Sequence, residues 1–299
     1  MTQANANHSA PWTIERMLNW GTDYLKRSGS PSARLDTQLL ISNVCKLDKV
    51  QLYVQYERPL QPNELDALRA LFKRRAAHEP VAYILSQKAF YGRDYEVDST
   101  VLIPRPETEH LVDAVMEYLD ENDLETPNIV DVGTGSGCIA VTLAAEWSGA
   151  VVLGIDVSGD ALRMAAKNAD THAVRERVKL TQGHLLTPVQ SQHSVDVVVS
   201  NPPYLDAPLM DTLMADVRDY EPVGALDGGV DGLDLIRPLI EDSARVLKPG
   251  GLLALEIAHD AQAAAVQTLL EEHVAFNYLA TIPDYAGIAR VVTATRAEP

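Results

Sequence analysis

A chain of 299 residues, 46% of them hydrophobic, has room for two globular domains with ordinary cores. Its formal net charge of −17 argues against a nucleic-acid phosphate backbone as main partner, because affinity there comes from clustered Lys and Arg. No apolar run reaches membrane-spanning length, the opening Met1–Pro11 is polar, and the two cysteines, Cys45 and Cys138, lie far apart. A membrane span, a secretory signal, a disulfide framework and a zinc motif are therefore not expected, and a reduced, cytoplasmic protein is.

Residues 12 to about 80 read as helices. Ile14, Met17, Leu18, Gly21 and Leu25 follow helical spacing on one face. Leu35, Leu39 and Leu40 begin a second helix, and Val50–Tyr56 is a candidate third. Pro62 opens another, carrying Leu65, Leu68, Leu71 and Phe72. It ends in Lys73-Arg74-Arg75, cations that suit a helix C-terminus and would equally suit an anionic partner. No convincing strand interrupts this stretch, so residues 1–80 are expected to form a small helical domain.

Phe90-Tyr91-Gly92-Arg93-Asp94-Tyr95-Glu96-Val97 alternates large residues around a glycine, which predicts a β-hairpin linker within 81–105. Pro106, Glu107 and Glu109 start a helix through Tyr118 with Leu111, Val112 and Val115 inward, opening a domain over 106–299. After the polar stretch Asp120–Pro127, strands and helices alternate. Strands are predicted at Asn128–Val132, Val151–Ile155, Val178–Gln182, Val195–Ser200, Leu252–Ile257, Tyr278–Ile282 and Ala289–Thr295. Helices are predicted at Cys138–Trp147, Asp160–Ala169, Leu233–Leu247 and Ala261–His273. Such alternation specifies an α/β fold with a doubly wound, mostly parallel sheet.

Val195–Ser200 runs straight into Asn201-Pro202-Pro203-Tyr204. Prolines cannot donate to a sheet ladder, so the chain must leave the sheet there, at the carboxyl end of a strand, where open α/β sheets bind ligands. Pro202 and Pro203 offer carbonyls without N–H groups, Asn201 adds a side-chain carbonyl, and Tyr204 adds an aromatic face. The set suits a planar NH2 group, whether a carboxamide or the exocyclic amine of a base; a plain turn after a strand would use the same residues. The first strand of the sheet ends in Asp131-Val132-Gly133-Thr134-Gly135-Ser136-Gly137, where glycines let backbone approach a ligand and turn into a helix. Asp156, nineteen residues after Gly137, ends the next strand and is placed to accept ribose hydroxyls. The glycine loop also satisfies the dinucleotide pattern G-x-G-x-x-A through Ala140, so the cofactor stays open at this point.

Together, the glycine loop, the acid after the second strand and Asn-Pro-Pro-Tyr after the fourth resemble class I S-adenosylmethionine-dependent methyltransferases, and within them the enzymes that methylate planar NH2 nitrogens. Phe90-x-Gly92, the run Val101-Leu102-Ile103-Pro104-Arg105-Pro106-Glu107-Thr108-Glu109, Glu221-Pro222, Ala225-Leu226-Asp227-Gly228-Gly229 with Asp231-Gly232-Leu233, and Asp284-Tyr285-Ala286-Gly287 with Arg290 resemble the HemK/PrmC family. That resemblance spans nearly the whole chain and implies a seven-stranded sheet with a helical N-terminal domain joined by the hairpin. It implies methyl transfer from S-adenosylmethionine to the glutamine side-chain nitrogen in the GGQ loop of peptide chain release factors. The proline-rich run separates it from sister enzymes acting on a ribosomal protein.

By the same resemblance Gly133, Thr134, Gly135, Ser136 and Gly137 surround the methionine part of the cofactor, Asp156 takes the ribose, and Leu185 lies by the adenine. Asn201 touches the cofactor and, with Pro202, holds the target amide; Pro203 and Tyr204 complete the substrate contact, with Asn201, Pro202 and Tyr204 carrying the chemistry. Two positions depart from the family pattern. Gly183-His184-Leu185-Leu186 stands where the family has Gly-Asp-Leu/Trp-Phe, which removes an acid from the adenine side, and His184 reads as a polar substitute rather than a base. Glu256-Ile257-Ala258-His259 replaces Glu-Ile-Gly, which raises a question about that loop's conformation. Asp206, just beyond the tetrad, is expected to be a solvated loop residue. Three other readings share parts of the pattern: an adenine-N6 nucleic-acid methyltransferase, which needs a cationic track, a nicotinamide-dependent dehydrogenase, which leaves the tetrad unused, and a non-catalytic binding module.

Overall fold

Helices account for the first of two units, Met1–Ser86. The computed structural model describes residues 11–298, so the polar opening segment, up to residue 10, lies outside the described residues. Helix α1 (Ile14–Arg27) starts where Thr13 accepts a hydrogen bond from the Arg16 amide. α2 (Ala33–Cys45) follows, then α3 (Lys49–Val54), whose Asp48 and Gln51 form a capping box. α4 (Pro62–Ala76) starts with another, Gln61 and Glu64, and has Pro62 in its first turn. Ile14, Leu18, Leu25, Leu40, Leu68 and Phe72 fill this unit's core. A side chain at Gly21 would meet the Phe72 ring at 2.5 Å, so the glycine allows α1 and α4 to touch. Two members of the basic triplet are structural: Arg75 is buried and its Nε donates to Asp36 Oδ2 at 2.7 Å, while Arg74 pairs with Glu79; Lys73 is exposed. A five-residue helix, α5 (Val81–Leu85), ends the unit inside the stretch expected to be linker. It is too short for periodicity to reveal.

The second unit, Gln87–Pro299, begins with the hairpin of β1 (Gln87–Phe90) and β2 (Arg93–Glu96). Phe90 and Tyr95 belong to this unit's core. α6 (Glu109–Glu121), β3 (Asn128–Val132), α7 (Cys138–Glu146), β4 (Val151–Asp156), α8 (Gly159–Thr171), β5 (Val178–Gln182) and β6 (Val195–Ser200) follow. The Tyr95 hydroxyl shares a 2.7 Å hydrogen bond with Thr142 of α7. Then come α9 (Ala207–Asp211), α10 (Ala215–Tyr220), α11 (Ile236–Val246), β7 (Leu247–Glu256), α12 (Asp260–Glu272), β8 (Phe276–Pro283) and β9 (Ala289–Arg296). The seven-stranded sheet has the order β5-β4-β3-β6-β7-β9-β8. Only β9 is reversed, antiparallel to both its neighbours β7 and β8, and the other pairs are parallel.

All six residues of β6 are buried, which is why its sequence is a nearly unbroken apolar run. Val197 and Val199 face α6 and α7, in a core with Leu111, Val115 and Ile139; Val198 faces the other way, with Ile236, Ile240 and Val266 of α11 and α12. Strand order reverses between β3 and β6, whose last residues, Val132 and Ser200, are paired. The loops leaving these two ends diverge and open a crevice at the topological switch point. Several boundaries differ from the sequence pattern by a few residues. The helix expected from Leu233 begins only at Ile236, and β7 begins at Leu247 rather than Leu252. The extra residues form a bulge opposite Val195–Val197, with Gly250 at φ 77°.

Candidate functional site

The loop after β3 carries Gly133, Gly135 and Gly137 at φ 74°, 55° and 80°, the left-handed region that glycine enters without cost. Gly133 and Gly135 line a cavity of about 250 Å3 at the switch point. Thr134, Ser136 and Gly137 do not face it. Thr134 donates to Asp131 Oδ2 at 2.7 Å, the buried Ser136 gives its carbonyl to Asn168 Nδ2 at 2.8 Å, and a side chain at Gly137 would sit 3.0 Å from Ala165. These three shape the loop from behind.

Asp131 is fully buried. Its Oδ2 accepts from Thr134 and from the Ala140 amide at 3.2 Å; Oδ1 has no hydrogen-bond partner among the described residues. Burial pushes its carboxyl up to about 7, against the two donors and with a small push from Asp156. Asp156, at the end of β4, lines the cavity and stiffens the glycine loop: Oδ2 accepts from the Gly135 amide and Oδ1 from Ser158, each at 2.9 Å. A carboxylate oxygen has two lone pairs, so each keeps one for a ligand. His184 and Leu185 line the same cavity. Gly183 cannot be replaced freely, since a side chain there would meet Pro188 at 2.3 Å.

Asn201, Pro202 and Pro203 form the opposite wall. Asn201 also lines a second cavity of about 180 Å3, whose other walls include Leu102, Arg105, Tyr204 and Leu213. Leu102, Asn201 and Ala225 are common to both, so Asn201 stands on the partition between two chambers. Its Nδ2 donates to Thr108 Oγ1 at 3.2 Å, which leaves Oδ1 as the free end. Tyr204 donates its hydroxyl to Glu256 Oε1 at 3.2 Å, and burial beside that carboxylate raises its pKa far above the ordinary phenol value. Glu256 is fully buried at the end of β7, and burial pushes its own carboxyl up to about 7.

The segment from Glu221 to Leu233 backs the tetrad. The Leu205 amide donates to Leu226 O at 2.9 Å and the Gly228 amide to Leu205 O at 2.8 Å. A side chain at Gly232 would lie 2.4 Å from Tyr204 O, an approach only glycine permits. Gln262 of α12 donates from Nε2 to Tyr204 O and to Gly232 O, both at 3.0 Å. Glu221 accepts from the Ile103 amide at 3.1 Å and from Arg105 at 2.5 Å, tying the proline-rich strap to this segment. Asp284 accepts from Arg290 Nε at 2.9 Å, and Arg290 donates to Ala258 O at 2.6 Å. Ala258 is not among the residues with positive φ, so alanine in place of glycine causes no strain there. Asp206 is not a free loop residue; it caps α9 by accepting from the Leu209 amide at 2.9 Å. Thr108, Glu256 and Gln262 were not singled out by the sequence as site residues, because their places depend on contacts across 93, 52 and 58 residues. Among the described residues no group of His, Cys, Asp and Glu could hold a metal ion.

Residues 16–85 match the PrmC N-terminal domain and residues 110–216 the methyltransferase small domain. The hMettl16 catalytic domain, crystallised with an RNA hairpin, is 16% identical with a TM-score of 0.55, covering 75% of this chain and 81% of that one, a likeness of fold alone. A release factor glutamine methyltransferase of Geobacter sulfurreducens is 41% identical over 281 residues, 94% of this chain and 96% of its own length. One from Rhodopirellula baltica is 35% identical over 299 residues, 98% of this chain and all of its own. Identity at this level, from end to end and across both matched domains, makes the chain a member of the release factor glutamine methyltransferase family.

Proposed function

We infer that the chain transfers a methyl group from S-adenosylmethionine to the side-chain amide nitrogen of the glutamine in the GGQ motif of peptide chain release factors. One observation carries this reading: Asn201 stands on the partition between two cavities with its amide nitrogen already engaged and its carbonyl free. The larger cavity suits the cofactor. It offers glycine backbone from the β3 loop, spare lone pairs on Asp156 and apolar wall from Leu185. S-adenosylmethionine supplies an electrophilic methyl group on a sulfonium sulfur. Asp156 would accept ribose hydroxyls; Gly133 and Gly135 would approach the methionine portion.

The smaller cavity takes the glutamine side chain and brings its amide to the partition, where Asn201 meets Pro202 and Pro203 of the larger cavity's wall. An amide nitrogen is a weak nucleophile because its lone pair is delocalised into the carbonyl. Asn201 Oδ1 and the Pro202 carbonyl accept its two N–H groups, which favours positive charge on that nitrogen as it attacks. Pro203 and the Tyr204 ring hold the amide plane in line with the methyl group, and alignment supplies much of the rest by proximity. The methylated nitrogen is acidic and sheds its extra proton afterwards, so the Asn201–Tyr204 tetrad needs no base. The helical unit, Met1–Ser86, is the recognition domain for the intact protein substrate, and the hairpin expected as a linker within 81–105 belongs to the methyltransferase unit that starts at Gln87. No helix among the described residues is long and apolar enough to cross a membrane; the chain works in the cytoplasm, on a protein of the translation machinery. Its net charge of −17 disfavours the adenine-N6 alternative on a nucleic acid.

Transfer of labelled methyl from S-adenosylmethionine to intact release factor tests the reading. Label is expected on the wild-type factor and not on one whose GGQ glutamine is replaced by alanine. Equal labelling of both, or labelling of DNA instead, overturns it.

A further inference from the structure

Asn201 has a use only in one orientation, with Oδ1 toward the acceptor chamber, and nothing in its own side chain fixes that orientation, since amide oxygen and nitrogen have nearly the same size. Its Nδ2 donates to Thr108 Oγ1 at 3.2 Å. A hydroxyl that accepts on its oxygen still has one hydrogen to place. Thr108 is 2% exposed, so that hydrogen must find a partner inside the protein. The hydroxyl faces Glu256 and favours its charged form. Glu256 Oε2 is fully buried and makes no hydrogen bond of its own among the described residues; Oε1 is taken by the Tyr204 hydroxyl. No direct bond joins Thr108 to Oε2 in this geometry; Thr108 is the neighbouring hydroxyl that acts on this carboxylate and can supply that oxygen with a hydrogen.

We propose that Glu256 is a positioning residue that sets the polarity of this chain of hydrogen bonds and so holds the Asn201 carbonyl toward the substrate amide. An ionised carboxylate can only accept. It draws the Thr108 hydrogen toward itself, which leaves Thr108 oxygen to accept from Asn201 Nδ2, and Oδ1 is left pointing out. The same carboxylate anchors Tyr204. A protonated Glu256 can donate instead. Thr108 can then turn its hydrogen to Asn201, the amide flips, and an NH2 group meets the incoming NH2 group. The inference rests on the proposed methyl transfer and adds what orients its acceptor.

Glu256 titrates in a useful range. Burial is the largest influence and raises its pKa; the neighbouring hydroxyls of Thr108 and Tyr204 lower it, Arg290 of β9 lowers it by charge, and Glu107 raises it, with the result near 7. The Cys138 thiol on α7 also lies within its field, itself pushed up by burial to about 12. The ionised form is the active one, so turnover should rise with pH through that range.

The test is kcat, KM for release factor and the S-adenosylmethionine dissociation constant for wild type, Glu256→Gln and Thr108→Val, between about pH 6 and pH 9. Gln keeps the volume, so a packing role alone would be preserved. The proposal expects Glu256→Gln to lose kcat by on the order of 100-fold, to bind the cofactor as wild type does, and to lose the rising limb of kcat against pH. Thr108→Val, which removes the relay and leaves the carboxylate, should lose kcat similarly. Wild-type kcat and an unchanged pH limb in Glu256→Gln overturn the proposal; if that variant does not fold, wild-type kcat in Thr108→Val does so. Absence of methyl transfer by wild type itself would overturn the reading of the function instead.

Discussion

Asn201 and Thr108 are 93 residues apart in sequence, and the amide nitrogen of one donates to the hydroxyl of the other at 3.2 Å. Asn201 immediately follows the central strand; Thr108 sits where the proline-rich strap passes into α6. The strap is thereby part of the acceptor chamber rather than a connection to it, and Arg105 bound to Glu221 fastens it from the other side. A residue between two chambers is held by contacts with segments far away in the chain.

Asn201→Ala removes the free carbonyl and should cost on the order of 100-fold in turnover, the scale of a misplacement of about 1 Å at a reacting centre. Asn201→Asp keeps the shape and puts an anion beside a developing cation, which by charge alone should help. It also replaces the Nδ2 donor to Thr108 with an oxygen, and a buried anion needs desolvation or a proton. Position dominates, and both variants should lose most turnover while still binding S-adenosylmethionine measurably. Steady-state methylation of release factor beside a cofactor titration checks this. An alanine variant as fast as wild type would reduce the tetrad to a turn.

Asp156→Ala should weaken S-adenosylmethionine binding by roughly 1.5–3 kcal/mol, the worth of hydrogen bonds to a charged acceptor. The carboxylate also holds the amides of Gly135 and Ser158, so part of the loss comes from a looser glycine loop. Asp156→Asn keeps one acceptor oxygen and should recover a fraction of the affinity. Calorimetric titration measures both, and an unchanged alanine variant would remove Asp156 from the site.

The strands of the sheet were legible because parallel strands buried on both faces are written in runs of Val, Ile and Leu, as Val195–Ser200 is. The short helices α5, α9 and α10, of five, five and six residues, were not, since an element under two turns shows no period. The glycine motif announced a ligand loop but not which of its members face the cavity: Thr134 turns inward to Asp131 and Gly137 packs on Ala165. Lys73-Arg74-Arg75 suits a helix end and an anionic partner equally, and for Arg75 the choice is made by Asp36, 39 residues away and buried with it. What stayed hidden in each case is a partner distant in the chain.

A chain cut near Thr126, inside the polar stretch before β3, would lose α6 and the hairpin, and with them Leu111, Val115, Phe90 and Tyr95 from the core of the second unit. A chain beginning at Gln87 keeps them. It should fold, retain S-adenosylmethionine binding and lose methylation of intact release factor, since the helical recognition domain is gone. Far-UV circular dichroism, cofactor titration and methyl transfer decide each part. Wild-type activity on the intact factor would mean that the helical unit has another task.

The buried Asp131 should make stability fall as pH rises. Its carboxyl has a folded value near 7 against an ordinary 3.8, so between these the folded protein holds a proton that the unfolded chain has released. Where the folded state binds more protons, unfolding becomes easier with increasing pH. The contribution is whole below the unfolded value, declines across the window and is gone above about 7. Carboxyls whose values are lowered, such as Asp284 beside Arg290 and Glu64 beside Arg58, act in the opposite sense but only in acid below their ordinary values. Asp131→Asn cannot ionise and keeps an oxygen for Thr134 and the Ala140 amide. Denaturant midpoints at about pH 5 and pH 8 should therefore draw closer together in the variant than in wild type, with Glu256 supplying the remaining dependence. Groups common to both proteins cancel in the comparison. Equal losses over this interval in the two proteins would show that Asp131 does not change its charge there, and that its second oxygen is stabilised as an anion by something other than the residues around it.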